Sequence, residues 1–223
     1  MTGNGRIAAT DFASLRLGRQ EDTITSLTAE EWAERDRQEL RMAQEEVRAA
    51  RIARRLASLL AARSQRFAGD WPLPEAASRW AACLAAGNQA GVLWFGGTRG
   101  SGKTTAAWAT MAAAVRAGYA GRAEVVKAGQ LLAALAPPVD AEAKARWALA
   151  DLLFVDDFGK NGTSPWERAQ LHEIFDARYE AYRPLIITSE VKIQPLVDPA
   201  TWSRWDENLT PVHMGNTDHR RRT

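Results

Sequence analysis

Residues 94–105 read WFGGTRGSGKTT, and within them Gly97, Gly102, Lys103 and Thr104 fit the spacing G-x-x-x-x-G-K-[ST]. That order of residue types suits one kind of ligand. Glycines let the backbone curl until successive N–H groups point inward at an oxyanion. A helix starting directly after the loop adds partial positive charge at the same point. A lysine at Lys103 reaches β- and γ-phosphates, and a hydroxyl at Thr104 ligates Mg²⁺. The intervening Thr98, Arg99, Gly100 and Ser101, and Thr105 after them, complete the cradle. The expected ligand is a nucleoside triphosphate with its magnesium ion.

A second stretch supplies the other half of a phosphoryl-transfer site. LLFVDD, residues 152–157, is an apolar run ending in two carboxylates. An apolar strand would deliver Asp156 to the sheet edge beside the loop, as a magnesium ligand acting through water. Asp157, next to it, would orient or polarise the attacking water. The same pair is also what an ordinary strand-to-loop transition looks like. The upstream loop tips the reading towards hydrolysis rather than binding alone.

These residues need a scaffold, and the pattern around them supplies one. GVLWF (91–95), AEVVKA (123–128), LLFVDD and PLIITSE (184–190) read as strands, the last being the final clear one. Helical stretches at about 75–86, 103–117, 129–135 and up to Trp147 alternate with them, and SPWE (164–167) opens another with a cap and a proline. Strands alternating with helices predict a parallel sheet covered on both faces. Ahead of this lies a different composition. Residues 1–27 have no sustained period and read as a flexible leader, and TAEE from Thr28 is a capping box. It opens a long helix, acidic at its start and arginine-rich at its end. The apolar stripe of Trp32, Leu40, Val47, Leu56, Leu59 and Leu60 is too thin for a core of its own. Such a helix packs on the main domain, on another copy or on a different protein. The prolines of FAGDWPLPE (67–75) suggest a boundary, giving a helical extension over 28–66 and an ATPase domain over 67–223.

With these pieces in place, GGTRGSGKTTAAW, VVKAGQLLAAL and the long stretch from ADLLFVDDFG to PLIITSE resemble the AAA+ ATPases of the DnaC/IstB type. Those are bacterial and phage replicative helicase loaders and transposition helper proteins. The resemblance covers about residues 66–222. It implies an α/β P-loop AAA+ fold, a three-layer parallel sheet with the helical N-terminal extension and no separate C-terminal lid domain. It also implies assembly into a homo-oligomer on ATP binding, single-stranded DNA as a partner, and a replicative DNA helicase or a transposase as another. Residue by residue, Thr188, Ser189 and Glu190 fall where the family reads Thr-Ser-Asn, the Asn being a sensor of the γ-phosphate or attacking water. An ionised glutamate accepts but does not donate, so Thr188 or Ser189 stands in for the missing donor, or hydrolysis is weak. Arg204 in TWSRW matches the arginine that the family points into a neighbouring subunit's nucleotide. Arg220 in GNTDHRRR matches its C-terminal sensor arginine. A solvated surface arginine is the plain alternative at both positions.

Composition narrows the setting. The formal net charge is +2, so no overall polyanion-binding field is implied. Cys83 is the single cysteine, which rules out an internal disulfide and a thiolate metal site and suits a reducing cytosol. There is no apolar run of membrane-spanning length and no hydrophobic signal region, so a cytoplasmic protein is expected. A small-molecule kinase on the same loop is disfavoured, because AEVVKAGQLL offers no acceptor-binding carboxylate or arginine cluster. A nucleotide-gated scaffold that barely hydrolyses stays open through Glu190.

Overall fold

The computed structural model describes residues 28–68, 71–160, 163–215 and 218–219, so the leader over residues 1–27 and Arg220 lie outside the described residues. Two compact units divide between Arg51 and Ile52.

The first helix, α1 (Ala29–Ala61), begins with the expected capping box: Glu31 N–H donates to Thr28 Oγ1 at 3.3 Å and Thr28 N–H donates to Glu31 Oε2 at 2.6 Å. None of its residues is buried, and Leu40, Met42 and Val47 are each exposed. From Ile52 the helix belongs to the second unit, where Leu59 packs against the core.

The second unit runs α2 (Glu75–Ala85), β1 (Val92–Gly96), α3 (Lys103–Ala117), β2 (Ala123–Lys127), α4 (Ala128–Leu135), α5 (Ala141–Leu149), β3 (Leu152–Phe158), α6 (Pro165–Glu180), β4 (Leu185–Ser189), α7 (Pro199–Asp206) and β5 (Leu209–His213). The strands form one parallel sheet in the order β2-β3-β4-β1-β5. Period-two alternation divides their side chains between two cores. Leu93, Phe95, Phe154 and Ile186 meet α2 and α3, while Val92, Leu153, Val155 and Ile187 meet α4 to α7. This is the three-layer α/β sandwich read from the sequence.

The sequence reading stops one strand short. LTPVH pairs with β1 from Val92↔Leu209 to Gly96↔His213, making β5 the sheet's outer strand. Pro211 within it is tolerated because the strand lies at an edge of the sheet, where one side of the backbone needs no partner. The helix before it, α7, is started by Asp198, whose carboxylate accepts from Ala200 N–H and Thr201 N–H at 3.0 Å, with Pro199 following.

Candidate nucleotide site

The glycine-rich loop joins the C-terminal end of β1 to the start of α3. Gly100 and Gly102 have φ of +82° and +89°, the left-handed region that glycine enters without steric cost. Space forbids a side chain as well: a Cβ on Gly102 would run into the Trp71 ring, and one on Gly100 into the Asp218 carboxylate. Lys103 is buried, its Nζ donating to Gly97 O and Thr98 O at 2.9 Å each. Its ammonium is therefore held inside the loop curl, where phosphate oxygens would lie. Ser101 Oγ is also buried and has no hydrogen-bond partner among the described residues, while Thr98 and Arg99 are exposed.

The two carboxylates arrive from β3 through an irregularity that no periodicity foretells. Val155 pairs with Ile187 but Phe158 pairs with Ser189, so Asp156 and Asp157 together oppose Thr188. This is a β-bulge, a device that re-aims side chains beside functional sites. Asp157 takes φ of +58° within it. Regular alternation would send the two side chains to opposite faces of the sheet. Here Thr188 engages both residues: its Oγ1 donates to the Asp156 carboxylate at 2.7 Å and accepts from the Asp157 backbone N–H at 2.9 Å. Thr104 Oγ1 donates to the same Asp156 oxygen at 2.7 Å. The loop hydroxyl and the β3 carboxylate, 52 residues apart in sequence, are thus in direct contact.

Burial pushes the Asp156 carboxyl above the ordinary carboxylate range; the Thr188 and Thr104 hydrogen bonds pull it partly back, and the Asp157 charge raises it further. Asp157 itself is exposed to solvent. One hydroxyl and one carboxylate are hard oxygen donors of the kind magnesium takes. Among the described residues no group of three His, Cys, Asp or Glu side chains could hold a metal ion. An ion here would draw its remaining ligands from phosphate and water, which is how magnesium usually binds.

The other candidates are placed as follows. Glu190 is exposed at the end of β4 and lines a cleft with Gly97, beside the loop. Ser189 Oγ is occupied in its own turn, donating to Val191 O at 2.7 Å and accepting from Val191 N–H at 3.1 Å. Of the two stand-ins for the missing sensor amide, Thr188 is therefore the one facing the carboxylates. Arg204, in the last turn of α7, is ion-paired with Asp176 and lies over the Tyr179 ring at 5.4 Å. With Gly91 and Leu185 it lines a small cavity at the opposite end of the strands from the loop. The structure thus gathers the loop, Asp156 and Asp157 with Glu190 alongside, and leaves Arg204 outside.

Three contributors escaped the sequence reading. Trp71 covers Gly102, His219 meets Trp71 edge-on at 5.0 Å, and His219 N–H donates to Gly100 O at 3.0 Å. Met214 N–H, donating to Gly96 O at 2.7 Å, brings the C-terminal segment onto the loop. A lone tryptophan before a proline carried no signal for this role.

With this geometry established, comparison with known proteins is informative. A family model described as IstB-like ATP binding protein matches residues 10–211. The chain belongs to that family. Among solved structures, the DnaC helicase loader is similar at 18% identity and a TM-score of 0.54, over 69% of this chain and 100% of that one. DnaI is similar at 20% identity and a TM-score of 0.53, over 64% of this chain and 81% of that one. AMPPCP-bound DnaA from Aquifex aeolicus is similar at 21% and 0.51, over 63% of this chain. This chain spans 44% of the length of that DnaA chain and of a DNA replication initiation factor that it also resembles. At these identities the likeness establishes the AAA+ fold. No curated protein matches. Among the described residues no helix is long and apolar enough to cross a membrane.

Proposed function

We propose that this IstB-like chain is a magnesium-dependent ATPase that serves DNA replication as an accessory factor, in the manner of a replicative helicase loader. The observation that carries the catalytic part is the Thr104–Asp156–Thr188 network, which ties the phosphate loop to the acidic strand end. Lys103 neutralises the β- and γ-phosphates, and Thr104 and Asp156 hold the magnesium. Asp157, exposed at the bulge and oriented by Thr188, polarises the attacking water. By the family resemblance Glu190 holds the sensor position beside the loop and Arg220 the C-terminal sensor position, and Arg204 serves a neighbouring copy's nucleotide in an ATP-dependent homo-oligomer. The likeness to the DnaC helicase loader favours a helicase as the partner, and that to a replication initiator DnaA bound to single-stranded DNA favours single-stranded DNA as the track. The family match keeps a second reading, a transposition helper that engages a transposase, because both uses draw on the same machinery.

Phosphate release and nucleotide binding test this. Lys103→Ala should lose both ATP binding and turnover, whereas Asp157→Asn should bind ATP and turn over at a background rate. Wild-type turnover in Asp157→Asn would remove that residue from the reaction. Undiminished ATP affinity in Lys103→Ala would remove the site. Recovery of a helicase or of a transposase with the tagged chain, in the presence of ATP, separates the two partners.

A further inference from the structure

A second cleft, of about 410 Å³, opens beside the phosphate loop, and the ATPase mechanism makes no use of its aromatic wall. It lies over the carboxyl ends of β1 and β5, bounded by the turn after β4 and by α7. Trp94, Trp202 and His213 form the wall, and Lys192 and Glu190 stand at its mouth. Trp94 and His213 meet edge to face at 5.3 Å and 84°. Trp202 is half-buried and His213 exposed, so ring surface remains open.

Three features narrow the occupant. Trp94 and Trp202, both half-buried, line the cleft with aromatic rather than aliphatic surface, on which a planar heteroaromatic ring stacks. Lys192 is exposed and in no ion pair among the described residues, which suits it to a phosphodiester. Glu190 is an exposed acceptor, the chemistry that takes a cytosine amino group. Stacking surface, an amino-directed acceptor and an exposed cation together describe a nucleotide of single-stranded nucleic acid.

We infer that the cleft lined by Trp94, Trp202, His213, Lys192 and Glu190 binds a nucleobase carried on a single strand. The inference deepens the DNA-linked reading above. Lys103, Thr104, Asp156 and Asp157, the residues assigned to the loop's nucleotide and its magnesium, do not line this cleft. The position also couples strand to loop. The Trp94 ring folds under Gly96, where a Cβ would lie 2.5 Å from it, and Gly97 N–H donates to Ser189 O at 3.3 Å. A base stacked in the cleft therefore touches the root of the phosphate loop directly.

Fluorescence anisotropy with a labelled 20-nucleotide oligo(dC) tests this, using the full chain with and without ATP. Trp202→Ala should weaken binding about fivefold or more, the loss of roughly one base–aromatic stack, and Trp202→Phe should restore most of it. Lys192→Ala, an exposed change that does not threaten folding, should flatten the dependence of log affinity on log salt by about 0.7. Binding of a fluorescent ATP analogue should stay at the wild-type level in all three. Free deoxycytidine monophosphate should compete only at concentrations far above those of the oligonucleotide. Wild-type isotherms for Trp202→Ala and Lys192→Ala would overturn the inference and assign the cleft to a protein surface. Competition by the mononucleotide as strong as by the strand would overturn it in favour of a small-molecule site. If ATP binding is absent from the wild-type chain while the strand results hold, the ATPase reading fails and the cleft stands.

Discussion

Asp156 is under opposing demands: the fold buries it beneath the loop, and magnesium chemistry needs it ionised. Its folded carboxyl titrates above the unfolded one, so between the two values the folded state binds more protons and stability falls as pH rises. The penalty is absent below the ordinary carboxylate range near about 3.9 and fully present once pH exceeds the folded value. Asp156→Asn, whose amide oxygen can accept from both threonines, should therefore raise Tm at neutral pH. The gain should fade in acid, and magnesium-dependent turnover should be lost; calorimetry across pH checks the first and phosphate release the second. Thr188 is the other residue whose work was only partly legible. The sequence offers it as one of two stand-ins for a sensor amide, but its hold on both aspartates depends on the bulge between β3 and β4. Thr188→Val keeps the shape and removes the hydroxyl. It should lower turnover by about tenfold or more, the worth of one to two buried hydrogen bonds, with ATP affinity within about twofold of wild type. Unchanged turnover in this variant would show that the bulge alone positions the carboxylates.

Regular periodicity is what made most elements readable. The helix expected over 103–117 is found as Lys103–Ala117, and the capping box at Ser164 opens α6 as SPWE indicated. What stayed hidden depends on partners distant in sequence: the edge strand with its proline, the bulge that sets Asp156 and Asp157 opposite one threonine, and the way α5 ends. That end is closed by Arg178 of α6, which is buried, with Nη1 donating to Trp147 O and Ala150 O at 2.8 Å and Nη2 to Pro184 O at 2.5 Å. Its guanidinium caps carbonyls left over at the end of α5 and fixes the entry to β4. The planar fork serves three acceptors at once, which an ammonium on a flexible stem does less well. Arg178→Met should cost about 3 kcal/mol or more by leaving buried carbonyls unpaired, and Arg178→Lys should fall between. Urea unfolding measures both. Equal stability of the methionine variant would mean that water reaches those carbonyls.

At the scale of the whole molecule, the fold separates the two ends of the strands. The loop and carboxylates sit at the carboxyl end and Arg204 at the amino end, so Arg204 can act on a nucleotide only in another copy. Lys103→Ala and Arg204→Ala should each be inactive alone, the latter with ATP affinity retained, and should regain activity when mixed. Such a finger contributes on the order of a thousandfold. Failure of the mixture to recover would leave Arg204 a structural partner of Asp176 and Tyr179. The long first helix calls for a test placed where the compact units divide. Up to Arg51 it has no buried side chain, whereas Ile52, Arg55, Leu56, Leu59 and Leu60 are half-buried and Leu59 joins the core. Removing residues 1–51 should therefore leave Tm and basal turnover within error of the full chain. Removing 1–62 strips that partly buried apolar surface, at about 25 cal/mol per Å², and should lower Tm by several degrees. If the shorter deletion keeps its ATPase but no longer recovers a helicase or transposase, Leu40, Met42 and Val47 belong to a recruiting face, since large apolar anchors dominate interface energies. If it instead melts early, the first half of the helix supports the ATPase fold, and recruitment must be sought elsewhere on the chain.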